Sequence, residues 1–182
     1  MIWKCSFQAK NFKGSQIADT IWCNDKSITN GDSGYGNYYT DYAAYDRLTI
    51  GQRSITLICS NDNQGGKLSK FTVSDTTYGN GALTYKIGML TADEVAFAGN
   101  ISTGNTLNIT YYLTQNATRN VWWTMSPYRY GNSQAHVWIV NKTLSDNIVS
   151  GSLSMRTSLA LKSKALITSG TGTATDPYKV TF

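Results

Sequence analysis

The chain has 182 residues, a length that suits one domain and buries roughly 70% of the unfolded surface. Only 15% of the residues are charged, whereas Gly, Asn, Ser, Thr and Tyr are abundant. The net charge of +5 comes from scattered Lys and Arg with no basic run, which argues against a nucleic-acid arm, and no apolar stretch is long enough to span a bilayer.

The N-terminal part shows little regular pattern. Its start, Met1-Ile2-Trp3-Lys4, does not read as a signal peptide. An exported protein would then be a piece of something longer, or part of a particle that needs no signal. Residues 1–20 read as an extension or the remnant of an upstream segment, and the rest as one domain within 1–182. Ile21-Trp22-Cys23 reads as a short strand, and 30–36 as a loop with glycines free to take positive φ. Residues 41–48 predict a helix that Thr40 can cap, with Tyr45 and Leu48 on one face and Tyr42 nearby. The β-branched alternation at 54–59 predicts a strand, 61–66 a turn, and 70–73 another extended piece.

The clearest local signal is Thr91 followed three residues later by Glu94, a capping box that opens a two-turn helix. Asp93 and Glu94 suit the positive end of its dipole, and Gly99 sits where the helix should stop. Val95 and the 97–98 region are expected to pack inward. Residues 100–120 read as a long polar surface loop with one strand at most, containing the patch Tyr111-Tyr112-Leu113 and the sequon Asn108-Ile109-Thr110. From Val121 a strand is expected, with Val121, Trp123 and Met125 on one side, Trp122 and Thr124 on the other, and Pro127 at its end. Trp123 reads as core, while Trp122 stays open. Residues 135–140 predict a second strand, with Ala135, Val137 and Ile139 on one face and His136 and Trp138 on the other. Residues 153–161 predict a third. A turn at 170–177 precedes the closing strand, 178–182.

Little of this suits catalysis. His136 is the only histidine and has no carboxylate beside it in sequence; a pocket converging on it with a carboxylate would be needed to revive an enzyme. Glu94 is the only glutamate and is better explained as a cap. The glycines of 31–36 lack the lysine of a phosphate loop. Three cysteines, Cys5, Cys23 and Cys59, show no metal-ligand spacing. A Cys23–Cys59 disulfide with Cys5 left over and three buried thiols both stay open. No metal and no cofactor are expected.

A run of motifs carries a resemblance. Residues 83–94 (LTYKIGMLTADE), then Trp123-Thr124-Met125-Ser126-Pro127, then Arg156 before Leu159-Ala160-Leu161-Lys162, then SGTGTATDPYKV, occur in a familiar order. The chain resembles, over roughly residues 20–182, a family of bacterial and phage-associated surface domains. That family is similar to the formylglycine-generating-enzyme type of C-type-lectin fold and to the variable proteins of diversity-generating retroelements. The resemblance implies an α+β, C-type-lectin-like fold: two short helices around small antiparallel sheets with long loops. Ser154-Met155-Arg156-Thr157 stands where the family reads Gly-Val-Arg-Pro, and Lys86 where it commonly has proline. The calcium-binding motifs of sugar-binding lectins and the late cysteine pair of the enzyme branch are absent from the sequence, so neither activity is expected.

The expected function is therefore non-catalytic display of a binding face on a bacterial surface or a phage particle, outside the producing cell. Its residues are Tyr128, Arg129 and Tyr130, types favoured at interface hot spots, with Asn132, Ser133, Gln134, His136, Trp138, Asn141 and Asn147. The expected partner is a protein or glycan on another cell or particle, with no nucleic acid and no membrane insertion by this segment; an oligomer stays open. The rival reading is a pilin-like or phage-fibre structural subunit, and an enzyme of the formylglycine-generating type is the distant third.

Overall fold

The computed structural model describes residues 16–18, 21–25, 27–29, 39–49, 54–58, 67–70, 87–103, 106–109, 121–173 and 175–182. The expected loop at 30–36, the turn at 61–66, residues 71–73, the tyrosine pair at 111–112 with Leu113, and Cys5 and Cys59 lie outside them. The chain is mixed α+β, with small antiparallel sheets and, among the described residues, two short helices. In chain order the elements are β1 (Ile21–Asn24), β2 (Tyr39–Asp41), α1 (Ala43–Thr49), β3 (Lys67–Lys70), β4 (Gly88–Met89) and α2 (Ala92–Phe97). There follow β5 (Asn100–Thr103), β6 (Thr106–Ile109), β7 (Trp122–Gly131), β8 (Gln134–Asn141), β9 (Thr143–Ile148), β10 (Thr157–Ser158), β11 (Leu166–Ser169) and β12 (Lys179–Thr181).

The chain forms two compact units. The larger takes Trp22–Ser69 and Met89–Arg156 and is organised by a four-stranded antiparallel sheet in the order β2-β7-β8-β9. Its centre is the β7–β8 hairpin. Gly131 lies opposite Gln134, and the two-residue loop between them, Asn132 and Ser133, has φ of 50° and 62°. Positive φ at both loop positions matches the right-handed twist of the flanking strands, and asparagine tolerates it best after glycine. A second tight reversal at Lys142 (φ 58°) leads into β9.

The hydrophobic core lies on one face of this sheet. Ala44 and Leu48 from α1 and Ala92, Val95 and Ala96 from α2 pack with Trp122, Trp138, Val140 and Leu144. The strand at Trp122 therefore has the opposite phase to the expected one. Trp122, Thr124 and Ser126 are buried and Trp123 is half-buried. Two polar residues point inward because each has a partner: the Thr124 hydroxyl donates to the Trp138 carbonyl (2.8 Å), and Ser126 Oγ accepts the Ala92 N–H (3.0 Å). Nor does Pro127 end the strand. β7 runs on to Gly131, and the register shifts on both sides of Pro127, as a residue without an N–H requires in a paired strand.

Helix α2 forms as its capping box predicts. Thr91 Oγ1 accepts the Glu94 N–H (3.1 Å), and the Glu94 carboxylate accepts the Thr91 N–H (2.7 Å). Gly99, with φ 98°, follows the helix end. Its inward face is Ala92, Asp93, Val95 and Ala96; Phe97, expected inside, is 68% exposed, and Ala98 is exposed. Thr91→Ala should cost about 0.5–2 kcal/mol, measured by urea unfolding, since it leaves the Glu94 N–H without its acceptor and removes the hydroxyl that also holds the Glu94 carboxylate. Helix α1 starts later than expected. Thr40, expected as its cap, is instead a fully buried β2 residue opposite Tyr130.

Residues 54–58 are not a strand. Side-chain oxygens take their backbone donors: Asp93 Oδ1 accepts the Thr56 N–H (3.1 Å), and Thr56 Oγ1 accepts the Ile58 N–H (3.1 Å). The expected loop after Gly99 holds a paired hairpin, β5–β6, and the Asn100 side chain donates to the Lys142 carbonyl (3.1 Å). β9 was not anticipated at all.

The smaller unit takes Met1–Ile21, Lys70–Gly88 and Thr157–Phe182. In it β11 and β12 form a hairpin, closed by a turn with positive φ at Gly170 and Gly172. A Cβ at Gly170 would meet the Pro177 carbonyl oxygen at 2.2 Å, so only glycine fits there. The expected strand at 153–161 is reduced to β10 and isolated bridges, at Ser154 in the larger unit and at Leu161 opposite Ile17 in the smaller.

Candidate functional site

The four strands of the larger unit's sheet lay charged and aromatic residues side by side on its helix-bearing face, beyond the core. Asp41 of β2 lies opposite Arg129 of β7, and Arg129 lies opposite His136 of β8. Cross-strand partners share a face, so these side chains are neighbours. On β9, Asp146 lies opposite Trp138, one pleat from His136.

Arg129 and His136 are each tied to a carboxylate on the next strand. Arg129 Nε donates to Asp41 Oδ1 (3.0 Å), and both side chains are about a quarter exposed. His136 Nδ1 is 2.8 Å from Asp146 Oδ2. The Arg129 guanidinium also lies over three tyrosine rings: Tyr45 at 4.5 Å, Tyr128 at 5.1 Å and Tyr39 at 5.9 Å from the centroids. Burial, the largest single influence, lowers its pKa; the negative charge of Asp41, the Tyr45 and Tyr128 side chains and the hydrogen bond to Asp41 together outweigh it and raise the pKa, so the arginine stays charged. Tyr39 donates its hydroxyl to Asn132 Oδ1 (3.4 Å) at the hairpin tip. Its ring packs directly on Gly131, where an added Cβ would lie 2.7 Å from ring carbons.

Tyr128 wedges between this row and the core. Its ring stands edge-on to Tyr45 (4.9 Å) and to Trp138 (4.7 Å). Burial, then the charge of Asp146, pushes its pKa up to about 12. The unfolded chain would release this proton near pH 10, before the folded one does near 12. The corresponding stability is fully present below pH about 10 and falls as the pH rises toward 12. Urea midpoints at about pH 9 and 11 should show that fall, and Tyr128→Phe should flatten it.

Of the expected site residues, the structure brings together Arg129, His136, Asn132 and the inner flank of Tyr128. Trp138 is not on a binding face: it is 3% exposed and belongs to the core. Tyr130 lies opposite Thr40 and Ala135, on the other face of the sheet. Ser133 and Gln134 are exposed at the hairpin tip, and Asn141 is exposed at the far end of β8. Asn147 lies opposite Val137, and its amide oxygen accepts the Ile148 N–H (2.8 Å). Tyr39, Asp41, Tyr45 and Asp146 were not singled out. They come from segments distant from Tyr128 in sequence, and the only signal for Asp146 was the weak alternation of Thr143 to Ile148.

A second polar constellation sits beside α2. Arg47 is bidentate to Asp93, Nε to Oδ1 at 3.0 Å and Nη2 to Oδ2 at 2.9 Å, and Nη2 also donates to Asp25 Oδ2 (3.1 Å). The Ser27 hydroxyl and N–H both donate to Asp25 Oδ1. Burial lowers the Arg47 pKa, but the hydrogen bond and charge of Asp93, then those of Asp25, raise it overall. A cleft of about 30 Å³, room for one water, opens beside these groups and is also lined by Cys23, Thr56 and Ser126. Asp25, Asp93 and Arg47 are spent on one another, and Glu94, which also lines the cleft, on the Thr91 cap, so the arrangement clamps α1 to α2. Asp93 lies in the first turn of α2, as expected of a dipole partner, and also takes both arms of Arg47 in this clamp. Cys23 is in a disulfide whose other half lies outside the described residues.

Among the described residues no group of three or more His, Cys, Asp or Glu is placed to hold a metal ion, and no helix is long and apolar enough to cross a membrane. Comparison of the chain with protein-family models, with curated proteins and with solved structures finds no match.

Proposed function

We propose that the larger unit is a non-catalytic, C-type-lectin-like display domain that binds a ligand outside the producing cell, through the face carrying Tyr39, Arg129 and His136. The reading is supported above all by Arg129. One carboxylate and three rings hold its guanidinium in place, yet only Nε is used, so both Nη groups lack a hydrogen-bond partner among the described residues. A pre-positioned donor fork, about a quarter exposed, is an anchor of the kind that carries binding energy. Tyr39, 44% exposed, and the exposed Asn132, Ser133 and Gln134 form its rim. Display on a cell surface or phage particle, and kinship with retroelement variable proteins, belong to the same proposal and rest on the motif resemblance.

The test is an array of defined glycans and purified surface proteins, probed with labelled wild-type chain and with Arg129→Ala and Tyr39→Ala. Saturable binding by wild type, lost in both variants at unchanged Tm, is expected. Equal binding by the variants, or no binding by wild type on either array, overturns the reading. The contact between Asp146 and His136 favours a second reading, general-base chemistry at His136. Hydrolysis of an activated aryl ester by wild type, abolished in His136→Ala, would replace the first reading with that one.

A further inference from the structure

We infer that the ligand of this face is a sugar carrying a carboxylate, a uronic-acid type of ligand; the inference rests on the binding reading above. It follows from the order of donors and acceptors across the sheet. Strand by strand the row reads Asp41, Arg129, His136, and then Asp146 one pleat along. The carboxylates occupy Arg129 Nε and His136 Nδ1, which fixes what the two side chains still offer. Arg129 keeps its two Nη groups, a planar fork matched to the two oxygens of a carboxylate. With Nδ1–H given to Asp146, the neutral His136 ring keeps Nε2 as an acceptor for a ligand hydroxyl; the protonated ring offers a second donor to the carboxylate. Asp146 Oδ1 has no hydrogen-bond partner among the described residues and accepts from a hydroxyl.

The complement of this row is one carboxylate with hydroxyls beside it. A neutral sugar leaves the arginine fork without its match. A polyanion with several charges on each unit, such as a heavily sulfated chain, crowds Asp41 and Asp146 and is repelled by them. An acidic peptide supplies the carboxylate but no neighbouring hydroxyls to satisfy Asp146. The polar rim of Asn132, Ser133 and Gln134 and the exposed Tyr39 ring suit further hydroxyls and the apolar face of a sugar ring.

Titration calorimetry on the full chain tests this with three probes: a galacturonate hexamer, the same hexamer reduced at its carboxyls to galactose, and a hexaglutamate peptide. The galacturonate hexamer should bind, and the other two should bind at least about tenfold more weakly. Arg129→Lys, which keeps the charge but loses the fork, should also weaken binding of the galacturonate hexamer about tenfold at unchanged Tm. Equal binding of the reduced hexamer would show that the carboxylate is not read. Equal binding of the peptide would make the ligand an acidic peptide instead. No heat with the galacturonate hexamer, or full binding by Arg129→Lys, also overturns the inference. If the arrays still show Arg129-dependent binding to some other ligand, the binding reading stands while this one fails.

Discussion

Arg47→Met is expected to destabilise the protein by about 3–5 kcal/mol, read as a lower urea midpoint at constant slope. Methionine keeps much of the length and loses the charge. It strands Asp93, whose side chain is 5% exposed, and Asp25, at 10%, with no cation between them. Both stay partly satisfied, by the Thr56 N–H and by Ser27, but those donors were counted before the change and replace nothing. An exposed ion pair would lose about 1 kcal/mol or less in the same experiment. The double change Arg47→Met with Asp93→Asn should recover part of the loss, because one stranded charge disappears with its partner. A single-variant loss below about 1 kcal/mol would show that water reaches the clamp and screens it.

Local signals were legible where one short segment decides its own structure. Thr91 and Glu94 are three apart and complete each other, so α2 was readable in full apart from its face. The turn with its glycines at 170 and 172 and the closing strand after it were readable for the same reason, whereas β11, the strand that pairs with it, was not. Reading failed where a distant partner decides. Trp122 and Trp123 are equal in hydrophobicity, and the flanking Val121 and Met125 made Trp123 the better inward candidate. What reversed the phase is that Thr124 and Ser126 find partners inside, at the Trp138 carbonyl and the Ala92 N–H. A polar residue with a buried partner looks in sequence like one that faces water. Residues 54–58 went wrong in the opposite direction: β-branched alternation suggests a ladder, yet Asp93 and Thr56 capture the N–H groups first.

The candidate site was half legible. Arg129, His136 and the Asn132–Ser133 tip lie on one hairpin, and the hot-spot types Tyr128, Arg129 and Tyr130 with the adaptable polar groups that follow pointed to it. Their partners did not show, because Asp41 and Tyr39 arrive on a strand some ninety residues earlier and Tyr45 on a helix. The carboxylate beside His136 was missed because only strand pairing, not sequence distance, places Asp146 there.

Trp138→Ala should cost about 3–5 kcal/mol, whereas Gln134→Ala, four residues away on the same strand, should change stability by no more than about 0.5 kcal/mol. Trp138 is 3% exposed, packs in the cluster with Val140 and Leu144, and meets the edge of Tyr128 at 4.7 Å. Its removal opens a cavity between sheet and helices and unseats Tyr128, the ring on which Arg129 rests. The indole N–H has no hydrogen-bond partner among the described residues. Trp138→Phe should therefore cost clearly less than alanine, since it loses area but also removes a buried donor that gains nothing. These magnitudes decide how a binding experiment is read. Loss of binding in Trp138→Ala would accompany a large fall in Tm and report a damaged scaffold, while loss in Arg129→Ala would come from a folded chain. Should Trp138→Ala keep the Tm of Gln134→Ala, the tryptophan is not core, and the rings around Arg129 are held by something other than the packing described.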